Sequence, residues 1–126
     1  MKLNYNCVRE LLLFSEEHLT YSTCIRANDV VFPDFSSDDI VYSAEKLIEA
    51  GYLQGSVNTF IGGGQPGITI TSISFEGHQF LDNIRDDGVW KDTKKALSKF
   101  SSVSLGVINT IATQILTSLI NSQLGL

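Results

Sequence analysis

Few residues in this chain have the types and spacing that chemistry would need, and each such set reads more readily as structure. The glycine-rich run "GGGQPG", Gly62 to Gly67, invites comparison with a phosphate cradle. A phosphate loop, however, needs a lysine after the glycines and a helix starting there, whereas this run lies between two strand-like segments, so a flexible hairpin tip is expected. His18 and His78 have no Cys, Asp or second His at ligand spacing, so no metal site is expected. His18 reads as a helix-end residue near Glu16 and Glu17, and His78 as a packing or capping residue. Asp38-Asp39 and Asp86-Asp87 are carboxylate pairs, but adjacent carboxylates on a helix point in different directions, and Asp38 and Asp39 sit where a helix dipole welcomes negative charge. No Ser, Cys or Lys comes with a base and an orienting partner, so neither an enzyme nor a cofactor is expected. Cys7 and Cys24 belong to no C-x-x-C pair and read as two buried thiols.

Charge narrows the partners. The chain has 126 residues and a net charge of -5. Residues 1–50 hold nine acids against four bases, and residues 51–126 hold five of each. An acidic surface repels a phosphate backbone, because nucleic-acid affinity comes largely from basic side chains that release counterions. Lys91, Lys94, Lys95 and Lys99 form the positive cluster, with Arg85 one turn earlier. They are expected to spread around a helix as on a solvated surface, and would carry any nucleic-acid contact.

The elements that position these residues centre on "AEKLIEAGYL", Ala44 to Leu53. Ser36 can cap a helix with Asp39 three residues on, Ile40, Ala44, Leu47 and Ile48 recur at helical spacing, and Gly51 stands where a left-handed cap belongs. Asn4 or Asn6 can cap an earlier helix running to about Glu17, with Val8, Leu11, Leu12 and Leu19 on one face. Thr20 to Val31 suits a short strand before the Pro33-Asp34 break. Leu53–Ile61 and Ile68–Phe75 read as a hairpin. Ile68 and Ile70 share one face of its second strand while Ile73 and Phe75 share the other, which predicts a bulge or strand end near Thr71-Ser72. Ser74 then caps a helix carrying Phe80, Leu81 and Ile84 inward, and Asp86-Asp87-Gly88 ends or bends it.

The order helix, strand, helix, hairpin, helix predicts an α+β fold: a winged helix-turn-helix-like domain over 1–87 with a β-hairpin wing, and C-terminal helices over 88–126. Between the first strand and Ser36 only "FPDFSS" remains, so the usual second helix of that fold is short or replaced. From Phe100 onward there is no charged residue. Leu105, Ile108, Ile111, Ile115 and Leu119 form an apolar helical stripe with uncharged polar residues outside it, which predicts packing within the domain or, preferably, a homodimer. Nine polar residues from Asn109 to Gln123 make a membrane span costly. No basic stretch, apolar run and cleavage site open the chain, so a cytoplasmic, reduced setting is expected.

Three blocks carry a resemblance: "EKLIEAGYL" at Glu45–Leu53, "EGHQFLDNIRDD" at Glu76–Asp87 and "VWKDTKKALSKFSSVSL" at Val89–Leu105. Together they resemble a domain-of-unknown-function family of small bacterial, prophage and phage proteins. The resemblance implies a winged-helix-like domain with a C-terminal helical extension and brings no catalytic residues.

These readings favour a non-enzymatic protein-interaction module on an acidic winged-helix scaffold, with Asp38, Asp39, Glu45 and Glu49 facing a basic protein partner. A phage or prophage protein that binds and inhibits a host nucleic-acid-binding or defence protein fits those electrostatics. The alternative is a small DNA-binding transcriptional regulator using the Ser36–Ala50 helix and the wing. Its helix opposes Asp38, Asp39, Glu45 and Glu49 to Lys46 alone, which disfavours phosphate anchoring.

Overall fold

Asn4 opens the first helix by accepting the Cys7 N–H on its side chain at 3.1 Å, which satisfies one of the amides a helix start leaves unpaired. The helix, α1, runs Tyr5–His18 and buries Cys7, Val8, Leu11, Leu12 and Ser15. It belongs to a computed structural model that describes residues 1–125. The chain is α+β, with five α-helices and one three-stranded antiparallel sheet among the described residues. It divides into two units, Met1–His78 and Gln79 onward.

In the first unit α1 packs on α2, Ser37–Glu49. Ser36 caps α2 by accepting the Asp39 N–H at 3.1 Å. Ile40, Ala44 and Leu47 of the spacing read from the sequence are buried and Ile48 is half-buried, while Val41, which that spacing left out, is buried beside them. Gly51 ends the helix at φ 81°, and the Tyr52 N–H reaches back to the Leu47 carbonyl at 2.9 Å. A residue with a Cβ is strained in that left-handed conformation, so glycine suits the stop.

The strand expected over Thr20–Val31 forms only at β1, Ile25–Arg26, followed by a 3-10 turn at Ala27–Asp29. Hydroxyl groups explain the shortfall. Thr23 Oγ1 accepts the Thr20 N–H at 2.9 Å and donates to the His18 carbonyl at 3.1 Å, while Thr20 Oγ1 accepts the Ser22 N–H at 3.2 Å. Backbone groups that a strand would need are held in a turn instead.

After Gly51 come β2, Leu53–Asn58, and β3, Gly67–Ile73, with β3 central in the order β1-β3-β2. Gln54 pairs with Ser72 and Gly55 with Ile70, so Thr71 is the extra residue of a bulge. The bulge falls where the change of parity places it. Ile68 and Ile70 on one side of it are fully buried.

Ser74 starts α3, Phe75–Ile84, accepting the Gly77 N–H at 3.0 Å and donating to the Gly51 carbonyl. Phe80, Leu81 and Ile84 are buried. Asp86 separates α3 from α4, Asp87–Leu97, and caps the latter by accepting the Val89 N–H at 2.9 Å. In the second unit α4 packs on α5, Leu105–Leu124, which Ser104 caps by accepting the Val107 N–H at 3.1 Å. Val89, Trp90 and Thr93 of α4 and Ile108 and Ala112 of α5 are buried, and Asn83 donates to Asn109 Oδ1 at 2.8 Å to tie α3 to α5.

Candidate functional site

α2 places its acids by helical geometry. At about 100° per residue, Asp38, Glu45 and Glu49 fall on one stripe with Tyr42 between them, and Asp39 lies a quarter-turn away. Asp38 and Glu49 are exposed, Asp39 and Glu45 half-buried. The stripe is partly answered from within the fold. Lys46 Nζ sits 2.6 Å from Glu49 and 3.9 Å from Glu45, and 5.3 Å from the centre of the Tyr42 ring. The Glu49 carboxylate holds the Lys46 ammonium above its ordinary range.

The glycine-rich loop is not a free tip. Gln65 Nε2 donates to Asp38 Oδ1 at 2.8 Å and to Ser37 Oγ at 3.2 Å. Asn28 Nδ2 donates to the Pro66 carbonyl at 2.8 Å and to Gln65 Oε1 at 3.1 Å, and Asn28 Oδ1 accepts the Ile68 N–H at 2.9 Å. The expectation of a flexible hairpin tip is therefore corrected for its second half, which is fastened to α2 and to the 3-10 turn. Composition alone showed the glycines and missed the amide side chains that hold Gln65 and Pro66. The loop and α2 enclose a hollow of about 240 Å³ lined by Met1, Asp38, Val41, Tyr42, Glu45 and the loop itself.

A larger cleft of about 630 Å³ lies elsewhere on the first unit, between the end of α1, the turn after it and the second half of β3. Ser15, Glu16, Leu19, Thr71, Ser72, Ile73 and His78 are among its lining residues. Sequence reading did not find it, because the walls are hydroxyl-bearing residues scattered over three elements.

On α4 the lysines do not ring the helix as expected. Lys91, Lys94 and Lys95 stand at i, i+3 and i+4 and share one exposed arc, opposite the buried Val89 and Thr93 and with Trp90 at its edge. Lys94 Nζ lies 5.8 Å from the centre of the Trp90 ring. Lys99 follows the helix and is exposed. Along α5, Ile108 is buried, Leu105, Ile111 and Ile115 are half-buried, and Leu119 is 47% exposed. Ile120 and Leu124 beyond it are 49% and 67% exposed, so the helix is covered at its beginning and bare at its end.

The two thiols differ, which corrects the expectation that both are buried. Cys7 is buried and Cys24 is exposed, in the turn region before β1. Burial pushes the Cys7 thiol above its ordinary value; the Ser43 hydroxyl acts the other way, and Asp39 and Glu10 add to the rise. His18 ends α1, stacked on Phe14 with ring centres 4.1 Å apart and donating to the Phe14 carbonyl at 2.9 Å. His78 is exposed in the first turn of α3. Among the described residues no group of three His, Cys, Asp or Glu is placed to hold a metal, and no helix is long and apolar enough to cross a membrane.

These features define an α+β protein with a small antiparallel sheet, an acidic helical stripe and a charge-free final helix. The family model described as "Hypothetical protein (DUF2513)" matches residues 2–104, and the chain belongs to that family of unknown function. An uncharacterized protein of Haemophilus influenzae is 26% identical over 125 residues, covering 95% of this chain and 99% of that protein. No solved structure matches with significance.

Proposed function

We propose that this protein is a non-enzymatic protein-interaction module on a winged-helix-like scaffold. The topology supports the scaffold: α1, a short β1, α2 and the β2–β3 hairpin follow in winged-helix order, with a 3-10 turn where that fold has its second helix. In this reading residues 1–87 form the winged-helix-like domain and residues 88–126 the helical extension. The observation that carries the reading is the stripe of Asp38, Glu45 and Glu49 on the helix that would otherwise enter a DNA groove. A basic protein surface complements such a stripe, and a phosphate backbone is repelled by it. The setting is the cytoplasm. For a chain of phage or prophage origin, the partner is a host nucleic-acid-binding or defence protein whose basic channel the stripe blocks.

Pull-down from host lysate with the tagged full chain tests this, run beside a variant carrying Asp38→Lys, Glu45→Lys and Glu49→Lys. A basic partner retained in stoichiometric amount by the natural chain and lost by the variant is the expected result. Equal recovery by both, or recovery of none, counts against the proposal.

A second reading, a small DNA-binding transcriptional regulator, draws on the shared arc of Lys91, Lys94 and Lys95. Gel-shift titration from low to physiological salt separates the two. Binding that persists and falls steeply with salt reverses the ranking, since each phosphate contact contributes to that slope.

A further inference from the structure

The cleft of about 630 Å³ has an unpaired strand edge in its wall. β1 pairs with β3 only at Ile25 with Ile70 and Arg26 with Thr69. Beyond Ile70, Thr71, Ser72 and Ile73 lie outside that pairing, because the chain before Ile25 turns away at Thr20–Thr23. The lane that a longer β1 would occupy is thus vacant, and it opens into the cleft, whose other walls include Leu19, Thr20, Tyr21 and Thr23. An exposed strand edge is a template for an added strand.

A second observation lies in the wall of the same cleft. Ser15 lines the cleft, is 0% exposed, and its Oγ has no hydrogen-bond partner. A buried hydroxyl without a partner is costly, so one in the wall of a cleft is suited to a group that arrives from outside.

We propose that this cleft docks an extended peptide segment of a partner protein as a short strand beside Thr71–Ile73, with one inward side chain meeting Ser15. The segment that fits has a hydrogen-bonding side chain, Ser, Thr, Asn or Gln, at the inward position, and apolar neighbours for Leu19 and Ile73. Proline is excluded from the positions that pair, because it has no N–H to give. Three residues of strand span about 10 Å, so a segment of three to five residues fills the lane. Backbone pairing sets the affinity and the inward pocket sets the choice of side chain. The site goes beyond the acidic stripe and does not depend on what α2 engages.

Selection of a displayed random heptapeptide library on the full chain provides the probe. Synthetic versions of the selected peptides are then titrated into the 15N-labelled protein. Amide shifts concentrated at Thr20–Thr23, Thr71–Ile73 and His78 are expected. N-methylation of single peptide amides should weaken binding about tenfold at alternate positions, the period of a strand, and leave the intervening ones unaffected. Ser15→Ala, which keeps the amide spectrum of a folded chain, should lower the affinity several-fold. The proposal is overturned if no peptide is enriched, if the shifts map to another surface, if N-methylation is tolerated equally at all positions, or if Ser15→Ala binds as tightly as the natural chain.

Discussion

Asn28 commits its whole side-chain amide to the hairpin: two donations, to Gln65 Oε1 and the Pro66 carbonyl, and one acceptance, from the Ile68 N–H. Asn28→Ala leaves the Pro66 carbonyl and the Ile68 N–H without that partner. Asn28 is half-buried, so water makes good some of the loss, and a destabilisation of about 1–3 kcal/mol is expected. Chemical denaturation measures it, and hydrogen exchange should quicken at Gly62–Gln65. A change below about 0.5 kcal/mol, the usual scale of a surface substitution, contradicts the anchoring role. The two thiols give a second test at this scale. Iodoacetamide should modify exposed Cys24 in the native chain and spare Cys7, with both modified in denaturant. The folded Cys7 thiol holds its proton more tightly than the unfolded one. Its contribution to stability is therefore full below the unfolded pKa, about 8.5, and is lost as pH rises through the higher folded value. Cys7→Ala should flatten that alkaline decline; an unchanged slope sinks the assignment.

At the scale of elements, what was legible in the sequence is what local chemistry fixes. The Ser36 cap, the Ile40–Leu47 spacing and Gly51 define α2, and the change of parity after Ile70 locates the bulge at Thr71. What was not legible depends on partners distant in sequence or on competing local bonds. β-branched residues from Thr20 to Val31 read as strand, yet their hydroxyls close a turn first. Glycines read as a loose tip, yet Gln65 and Pro66 are held from Asn28 and Asp38. The cleft beside β3 was invisible because it exists only where β1 stops early. Gly77 is a further case, since a glycine in a helix looks merely weak until its neighbour is known. A Cβ there would stand 2.0 Å from the Tyr52 backbone carbonyl oxygen, so the first turn of α3 lies against the backbone just before β2 in a contact that only glycine permits. Gly77→Ala gains roughly 1 kcal/mol of helix propensity but must displace backbone that Ser74 also bonds. The net effect expected is a loss of about 1–3 kcal/mol, the usual range for overpacking. Thermal denaturation that shows Gly77→Ala as stable as the natural chain, or more so, removes the close approach from the account.

For the whole molecule the governing quantity is charge. A chain of net charge -5 repels its own copies, and its acids lie mostly in residues 1–50. The final helix has no charged residue, so two copies would meet there without a Coulombic penalty. Its bare end presents Leu119, Ile120 and Leu124 beside the half-buried Ile115 and Leu116, related by steps of three and four residues. Burying such side chains yields about 1.5–3 kcal/mol each, against an association cost of roughly 4–15 kcal/mol, and on that balance we propose a dimer of modest affinity. Light scattering at rising concentration should approach twice 13.9 kDa. Leu119→Lys with Ile120→Lys should return the mass to 13.9 kDa and leave Trp90 fluorescence unchanged, because Trp90 is buried with α4 and not with the bare end. Salt separates this apolar contact from an ionic one. Screening weakens the repulsion between two acidic copies and leaves apolar burial intact, so the dimer should tighten as salt rises. A constant 13.9 kDa at all concentrations refutes the dimer, and a dimer that dissociates in salt places its interface on charged surface instead of on α5.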